Sequence, residues 1–236
     1  FECAKIDLAY DNTGKIGVLN YYFSNRFTAP HTDIVAYLNK ELSERKNYYT
    51  VSNIKMVLDN IDEELFKGFI RIMIFDSLIG EQDRHEENWG IIEKQGKSYI
   101  SPLYDNGDSL LRDFRNLDNA QKYYEGIKDF DSYVRRSKTL IYKENNKEKY
   151  KHFELVQYLY DNFPMLVVSE IEKLNSLTDE IIETIVNKIP TELLTNKHKE
   201  YIILYLIKRR DILLSIIKWG VRDEKWVVVN LERANF

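Results

Sequence analysis

The stretch from Leu65 to Leu78 constrains this chain more than any other. Leu65, Phe66, Phe69, Ile70, Ile72, Met73, Ile74, Phe75 and Leu78 leave no polar stripe wide enough to face water. A helix that is apolar nearly all round has to be buried on nearly every side. Asp62 is placed to open this helix, Glu63 to about Ile79 to form it, and Gly80 to close it in a left-handed cap. With 236 residues the chain is long enough to bury one sizeable core, or one core and a small appendage.

On either side of this helix the pattern changes. Ile6, Leu8 and Tyr10 alternate, Asp11-Asn12-Thr13-Gly14 supplies turn chemistry, and Ile16, Val18 and Tyr21-Tyr22-Phe23 follow, which predicts a β-hairpin. The polar, proline-containing stretch Ser24 to His31 reads as a linker. Thr32 or Asp33 is then placed to cap a helix carrying Ile34, Leu38 and Leu42, and Thr50 or Ser52 to start a short one with Ile54, Val57, Leu58 and Ile61. After the buried helix come a polar loop from Glu81 to Asn88 and a second short hairpin, Trp89 to Ile92 and Tyr99 to Leu103, turning at Lys94-Gln95-Gly96. The remainder, Asp118 to Gly220, is expected to be mostly helical, with breaks near Asn145-Asn146, Pro164, Asn175 and Pro190. The tail from Lys225 holds Trp226-Val227-Val228-Val229, a strand or a docked extension.

Composition narrows the function classes. Against 34 lysines and arginines stand 38 acidic residues, a net charge of −4, which argues against direct nucleic-acid binding or a polybasic membrane anchor as the main activity. A single cysteine, Cys3, excludes an internal disulfide framework and points to a reducing, cytoplasmic compartment. The opening Phe1-Glu2-Cys3 has no cationic segment leading into an apolar one, so it does not read as a signal peptide. The richest apolar stretch, Tyr201 to Trp219, is interrupted by Lys208-Arg209-Arg210-Asp211 and reads as a helix that does not span a membrane; Lys197 to Trp219 is expected to be core, with Lys208-Arg209-Arg210 at its exposed side.

The residues that carry chemistry lie just past the buried helix. Gly80-Glu81-Gln82-Asp83-Arg84-His85-Glu86-Glu87-Asn88 places an Asp and an Asn five apart in a polar loop, and Asp105 follows the hairpin beside Gly107. This order suits phosphoryl transfer. That reaction needs a carboxylate to hold and deprotonate an attacking hydroxyl, and oxygen ligands that fix magnesium against nucleotide phosphates. Magnesium takes one or two protein oxygens and completes its shell with phosphate and water, so one Asn and one Asp form an adequate protein share. The bland alternative is that Asp83, His85 and Asn88 only cap the next turn.

Asp83-Arg84-His85-x-x-Asn88 with the downstream Asp105-x-Gly107 resembles the catalytic loop and metal-binding motif of the HipA-like kinases, and the Asp-Arg-His-x-x-Asn pattern is also similar to that of phosphatidylinositol kinases. Leu78-Ile79-Gly80-Glu81-Gln82-Asp83 and Ser101-Pro102-Leu103-Tyr104-Asp105 lean towards the HipA-like side. The resemblance is strong over Phe69 to Asp108 and loose elsewhere. It implies an α+β, mostly α fold: a kinase-like large helical lobe with a short N-terminal β-hairpin remnant of the small lobe and a catalytic-loop hairpin. Residues 1–25 would be the last strands of the small lobe and the hinge, and 26–236 the helical catalytic lobe. The activity implied is ATP- and Mg-dependent protein serine/threonine kinase. Asp83 would be the catalytic base, Asn88 and Asp105 the magnesium ligands, His85 an organiser of phosphate or loop, and Leu103-Tyr104 the support of Asp105. A protein substrate is implied, as is a toxin–antitoxin setting with an antitoxin partner. A lipid or small-molecule kinase and a non-catalytic binding module are the alternatives.

Two departures stand out. Asn106 occupies the place of Phe in the Asp-Phe-Gly of protein kinases, so the hydrophobic switch of those kinases is not expected here. None of the nine glycines forms G-x-G-x-x-G or G-x-x-x-x-G-K-[ST]. The expectation is therefore that most of the small lobe, with its phosphate loop and lysine, lies upstream, lies on another chain or has been deleted. The weaker option makes Asp11 to Gly17 a reduced phosphate loop, with Lys5 or Lys15 as the lysine. Lys128 to Lys151, with eight basic and four acidic side chains, stands where kinases keep their substrate segment. It reads as a solvated face or a dock for an acidic substrate, and Ser132, Ser137 and Thr139 within it are open to phosphorylation.

Overall fold

The computed structural model describes residues 2–25, 31–38, 45–112, 121–123, 128–144 and 147–219. The expected central helix, α3 (Glu64–Ile79), is preceded by two shorter ones, α1 (Arg45–Tyr48) and α2 (Val51–Ile61). Thr50 caps α2, its hydroxyl accepting from the main-chain N–H of Asn53. Eleven of the sixteen residues of α3 are buried, Asp76 and Ser77 among them. After the site region come α4 (Phe130–Arg136), α5 (His152–Asn162), α6 (Pro164–Ile171), α7 (Asp179–Asn187) and the long α8 (Asn196–Trp219). Helices α2, α5, α6 and α8 all pack on α3, so the segment that cannot face water is enclosed by the rest of the lobe. Phe66, Phe69 and Trp89 form a row of rings 5.5 to 5.8 Å apart inside this core.

Among the described residues, three small antiparallel sheets flank the helices. The N-terminal hairpin pairs β1 (Ile6–Tyr10) with β2 (Ile16–Asn20). Its turn is closed by Asp11, whose carboxylate accepts from the N–H groups of Thr13 and Lys15 at 2.9 Å. Ile6, Leu8, Tyr10 and Val18 lie exposed, an apolar stripe with nothing over it among the described residues. The second sheet has the order β3 (His31–Asp33), β4 (Gly90–Lys94), β5 (Lys97–Ile100). Its β4–β5 turn sets Gln95 and Gly96 both at positive φ, the geometry a tight two-residue hairpin demands. The third sheet pairs β6 (Lys138–Tyr142) with β7 (Lys149–Lys151).

Several expectations are corrected. Thr32 and Asp33 do not cap a helix: His31–Asp33 form β3, and Ile34 to Ala36 only a single tight turn. The main-chain groups here are taken by β4 and by Trp89, whose carbonyl accepts from Ile34 N–H at 3.0 Å. Sheet pairing thus overrides the local helical spacing, and Leu42 lies outside the described residues. Gly90 permits this pairing, since a Cβ there would strike the Thr32 carbonyl. The β6–β7 hairpin falls inside the stretch expected to be helical, and buries Ser137 and Thr139, which removes both as accessible phosphorylation sites. Ser132 stays exposed. Arg209 and Arg210 are not on an exposed face of α8: Arg209 is 0% and Arg210 9% exposed. Pro164 occupies the first turn of α6, where a missing N–H costs nothing. The break at Asn145-Asn146 and the Trp226–Val229 segment lie outside the described residues.

Truncating the centre of α3 measures how much of the fold hangs on it. Phe69→Ala is expected to lower the free energy of unfolding by about 3–5 kcal/mol, as read from urea denaturation. A loss below about 1 kcal/mol would mean that Phe69 is not in a close-packed core.

Candidate functional site

The site is built where α3 ends. Gly80 takes φ +73 and returns its N–H to the Asp76 carbonyl at 2.7 Å, the left-handed cap expected of it. A Cβ at this position would also run into the Tyr205 hydroxyl on α8. The chain then turns sharply through Glu81 to Asn88, where His85 N–H donates to the Asp83 carbonyl (2.7 Å) and Asn88 N–H to the His85 carbonyl (2.9 Å).

Arg84 holds this loop together. Its side chain is 3% exposed. Its Nε and Nη2 donate to the Asp76 carboxylate at 3.0 to 3.3 Å. Nη1 donates to the carbonyls of Asn88 (3.0 Å) and Tyr104 (2.8 Å), and Nη2 also reaches Asn106 Oδ1. One guanidinium therefore joins α3, the Asp83 loop and the segment carrying Asp105. Burial pushes the Asp76 carboxyl up to about 6 against the pull of Arg84, which still leaves it ionised at neutral pH. Burial opposes the charge of Arg84 too, but Asp76 beside it more than compensates. The sequence does not mark Arg84 as buried, because a loop has no periodicity to show it.

The residues singled out from the sequence come together as follows. Asp83 and Asp105 both point into one shallow polar cleft of about 230 Å³, lined further by Gly107, Asp108 and Arg112. Both aspartates are exposed. Arg112 pairs with Asp108 at 2.7 Å. Asn88 lies beneath the loop, 5% exposed. Its Nδ2 donates to the Asp83 carbonyl at 3.0 Å, which orients the amide and leaves Oδ1 without a protein partner among the described residues. His85 is half-buried, accepts from Glu87 N–H through Nδ1 at 3.2 Å, and does not line the cleft. Asp105 itself sits at φ +50.

A second network reaches the loop from α8. Arg209 Nε donates to the Ser77 carbonyl (2.6 Å), and Nη1 to the Val134 carbonyl (2.7 Å) and Ser137 Oγ (2.8 Å). Ser137 Oγ meets His152 Nδ1 at 2.9 Å, and His152 Nε2 meets the Glu81 carbonyl at 2.7 Å. A carbonyl only accepts, so Nε2 carries the proton and Nδ1 accepts from the serine hydroxyl. Burial, and then Arg209, press the His152 pKa down to about 3, so the ring is neutral. Glu81 in turn accepts from Asp83 N–H at 2.8 Å. Burial, opposed by that hydrogen bond, raises its carboxyl to about 7. Arg209, expected on the exposed side, was missed; the signal for it was that Tyr205, Arg209, Ile212 and Ile216 fall on one helical stripe whose other three members are apolar.

An amide oxygen at Asn88 and a carboxylate at Asp105 are the donor types magnesium takes from a protein while retaining phosphate and water ligands; Asp105 lines the cleft, and Asn88, buried under the loop, does not. Among the described residues no group of three His, Cys, Asp or Glu side chains is placed to hold a metal alone.

Two measurements probe the scaffold. Arg84→Met should cost about 3–5 kcal/mol of stability, because Asp76 is left buried without its counter-charge and hydrogen-bond partner; the double variant with Asp76→Asn should recover part of this in a mutant cycle, and strict additivity would dissolve the pair. For His152 the folded pKa lies below the ordinary value of 6.5, so its contribution is complete above pH 6.5 and drains away as pH falls towards 3. Stability should then drop by about 1.4 kcal/mol per pH unit in that window. His152→Gln should flatten this slope.

No protein-family model matches the chain. A curated relative, the serine/threonine-protein kinase CtkA of Helicobacter pylori, is 22% identical over 210 residues, covering 80% of this chain. The chain spans about 60% of that relative's length. The crystal structure of the Helicobacter pylori proinflammatory kinase CtkA superposes with a TM-score of 0.73 at 19% identity, covering 92% of this chain and 75% of that one. The chain is thus similar in sequence to a serine/threonine kinase and shares its fold, with mostly helical architecture and small sheets, as the sequence led one to expect.

Proposed function

We propose that this chain is the catalytic lobe of an ATP- and Mg-dependent protein serine/threonine kinase of HipA-like type. One observation carries the reading: the carboxylates of Asp83 and Asp105, more than twenty residues apart in sequence, face one polar cleft with Asn88 under the same loop. Likeness to CtkA in sequence and fold supports it.

In this reading Asp83 holds the attacking hydroxyl and takes its proton, while the hydrogen bond from Asp83 N–H to Glu81 and the bonds its carbonyl accepts fix the loop that aims it. Magnesium, when bound, would neutralise charge on the transferring phosphoryl group. Asn88 and Asp105 are the side chains that would hold it, with the Asn88 amide turned by Asp83 so that its oxygen is the free end. His85, which does not line the cleft, acts on the loop rather than on phosphate. A second groove of about 370 Å³, with Leu110, Leu193, Leu194 and Tyr201 among its walls, shares Arg112 with the cleft. Room for apolar side chains beside the acceptor favours a polypeptide substrate over a small alcohol.

Residues 1–25 are read as the last strands of a small lobe and the hinge, and 26–236 as the catalytic lobe. The exposed stripe Ile6, Leu8, Tyr10 and Val18 supports this, since a lone two-stranded hairpin is marginal in water and needs further strands over its apolar face. Those strands, with a phosphate loop and lysine, would come from upstream residues or a separate chain. A toxin role with an antitoxin partner, and a cytoplasmic location, are part of the same proposal. No described helix is long and apolar enough to cross a membrane.

Asp83→Ala should abolish phosphoryl transfer and leave Mg²⁺–nucleotide binding within about twofold, whereas Asp105→Asn should weaken the Mg²⁺ dependence of that binding about tenfold or more. Radiolabel transfer and calorimetric titration separate the two. Loss of nucleotide binding in the Asp83 variant would make that residue structural and overturn the assignment.

A further inference from the structure

The two residues that precede Asp105 are held by the N-terminal segment as well as by the helical lobe. Leu103 N–H donates to the Glu2 carbonyl at 2.9 Å, and Ala4 N–H donates to the Leu103 carbonyl at 2.8 Å. Both main-chain groups of Leu103 are thereby satisfied by the strand leading into β1. At the other end of the same hairpin, the Phe23 ring stacks on Tyr104, centroids 5.6 Å apart and planes 29° off parallel. His31 meets both rings edge-on, at 5.2 and 5.7 Å. The two stems of one hairpin therefore grip two adjacent residues.

Tyr104 has little freedom left. Its hydroxyl lies 2.8 Å from the Asp33 carboxylate and 2.9 Å from the Glu87 carbonyl, and its carbonyl accepts from Arg84. The next residue, Asp105, is left-handed at φ +50. A non-glycine residue persists in that region where its surroundings over-determine it. The fixed points around Asp105 are Arg84 from the lobe and Leu103–Tyr104 from the hairpin stems.

We propose that Phe23 and the Glu2–Ala4 strand are positioning elements for Asp105: by clamping Leu103 and Tyr104 they set the backbone from which the Asp105 carboxylate is presented to magnesium. This rests on the kinase reading of Asp105 and goes beyond it by making the N-terminal hairpin part of the metal site. Phe23 does not line the Asp83 and Asp105 cleft and acts through Tyr104. Partners of metal ligands that fix ligand orientation have effects of this kind.

The test uses the full chain with Mg²⁺ and a non-hydrolysable ATP analogue, measuring analogue binding across a Mg²⁺ titration and, separately, the thermal midpoint without metal. Phe23→Ala should raise the Mg²⁺ concentration for half-maximal binding about tenfold, and Phe23→Tyr, which keeps the ring, should restore it. Ala4→Pro removes one N–H bond to Leu103 without touching the core, and should shift the Mg²⁺ midpoint in the same direction. A fall in thermal midpoint with an unchanged Mg²⁺ midpoint in both variants would overturn the proposal and reduce these residues to packing. If the unaltered chain bound the analogue with no dependence on Mg²⁺, the kinase reading itself would fail and this inference with it, an outcome distinct from normal binding that is insensitive to the variants.

Discussion

The contact between Arg84 and Asp76 is the constraint on which the site depends. Asp76 lies in the last turn of the central helix, 2% exposed, and a lone carboxylate at such a depth would be costly to keep ionised. Arg84 answers it with a two-point hydrogen bond and spends its remaining donors on the Asn88 and Tyr104 carbonyls and the Asn106 side chain. The pair thus adds geometric specificity where a pair of apolar residues of similar volume would add only volume. Its consequence is that two loops, each carrying an exposed aspartate, are pinned to one rigid helix end.

The aspartates themselves are exposed, whereas the groups that orient them are buried. Asp83 is aimed by Glu81 and Asn88, and Asp105 follows a tyrosine fixed through hydroxyl, carbonyl and ring. Such an order suits the proposed phosphoryl transfer, where small displacements of a ligand or base are costly. The buried chain from Arg209 through Ser137 and His152 to Glu81 extends the same support to α8, on the far side of α3. A neutral His152 suits this place, because it passes directionality from a serine hydroxyl to a carbonyl without adding a second buried cation beside Arg209.

Asn106 gains a reason from the geometry. Where protein kinases carry Phe after the metal Asp, this chain carries an amide whose oxygen accepts from Arg84. The segment is therefore tied to the lobe by polar contacts, and the apolar packing that governs that position in protein kinases has no counterpart here.

Much of this was written in local patterns. The apolar density of Leu65 to Leu78 required a central helix, Gly80 its cap and Lys94-Gln95-Gly96 a tight hairpin, because each rests on interactions within a few residues of chain; that Asp83 and Asp105, more than twenty residues apart, line one cleft is decided by the tertiary fold. What the tertiary structure alone decided are the long-range choices. His31–Asp33 became a strand because β4 offered its main chain, against a helical spacing that nothing local contradicted. The β6–β7 hairpin lay hidden in a stretch of charged residues whose pairing depends on the ends of α4 and α5. Arg84 looked like any loop arginine until Asp76, eight residues away on the end of a helix, was brought beneath it. A buried ion pair carries no periodicity, and only folding determines which charges meet out of water.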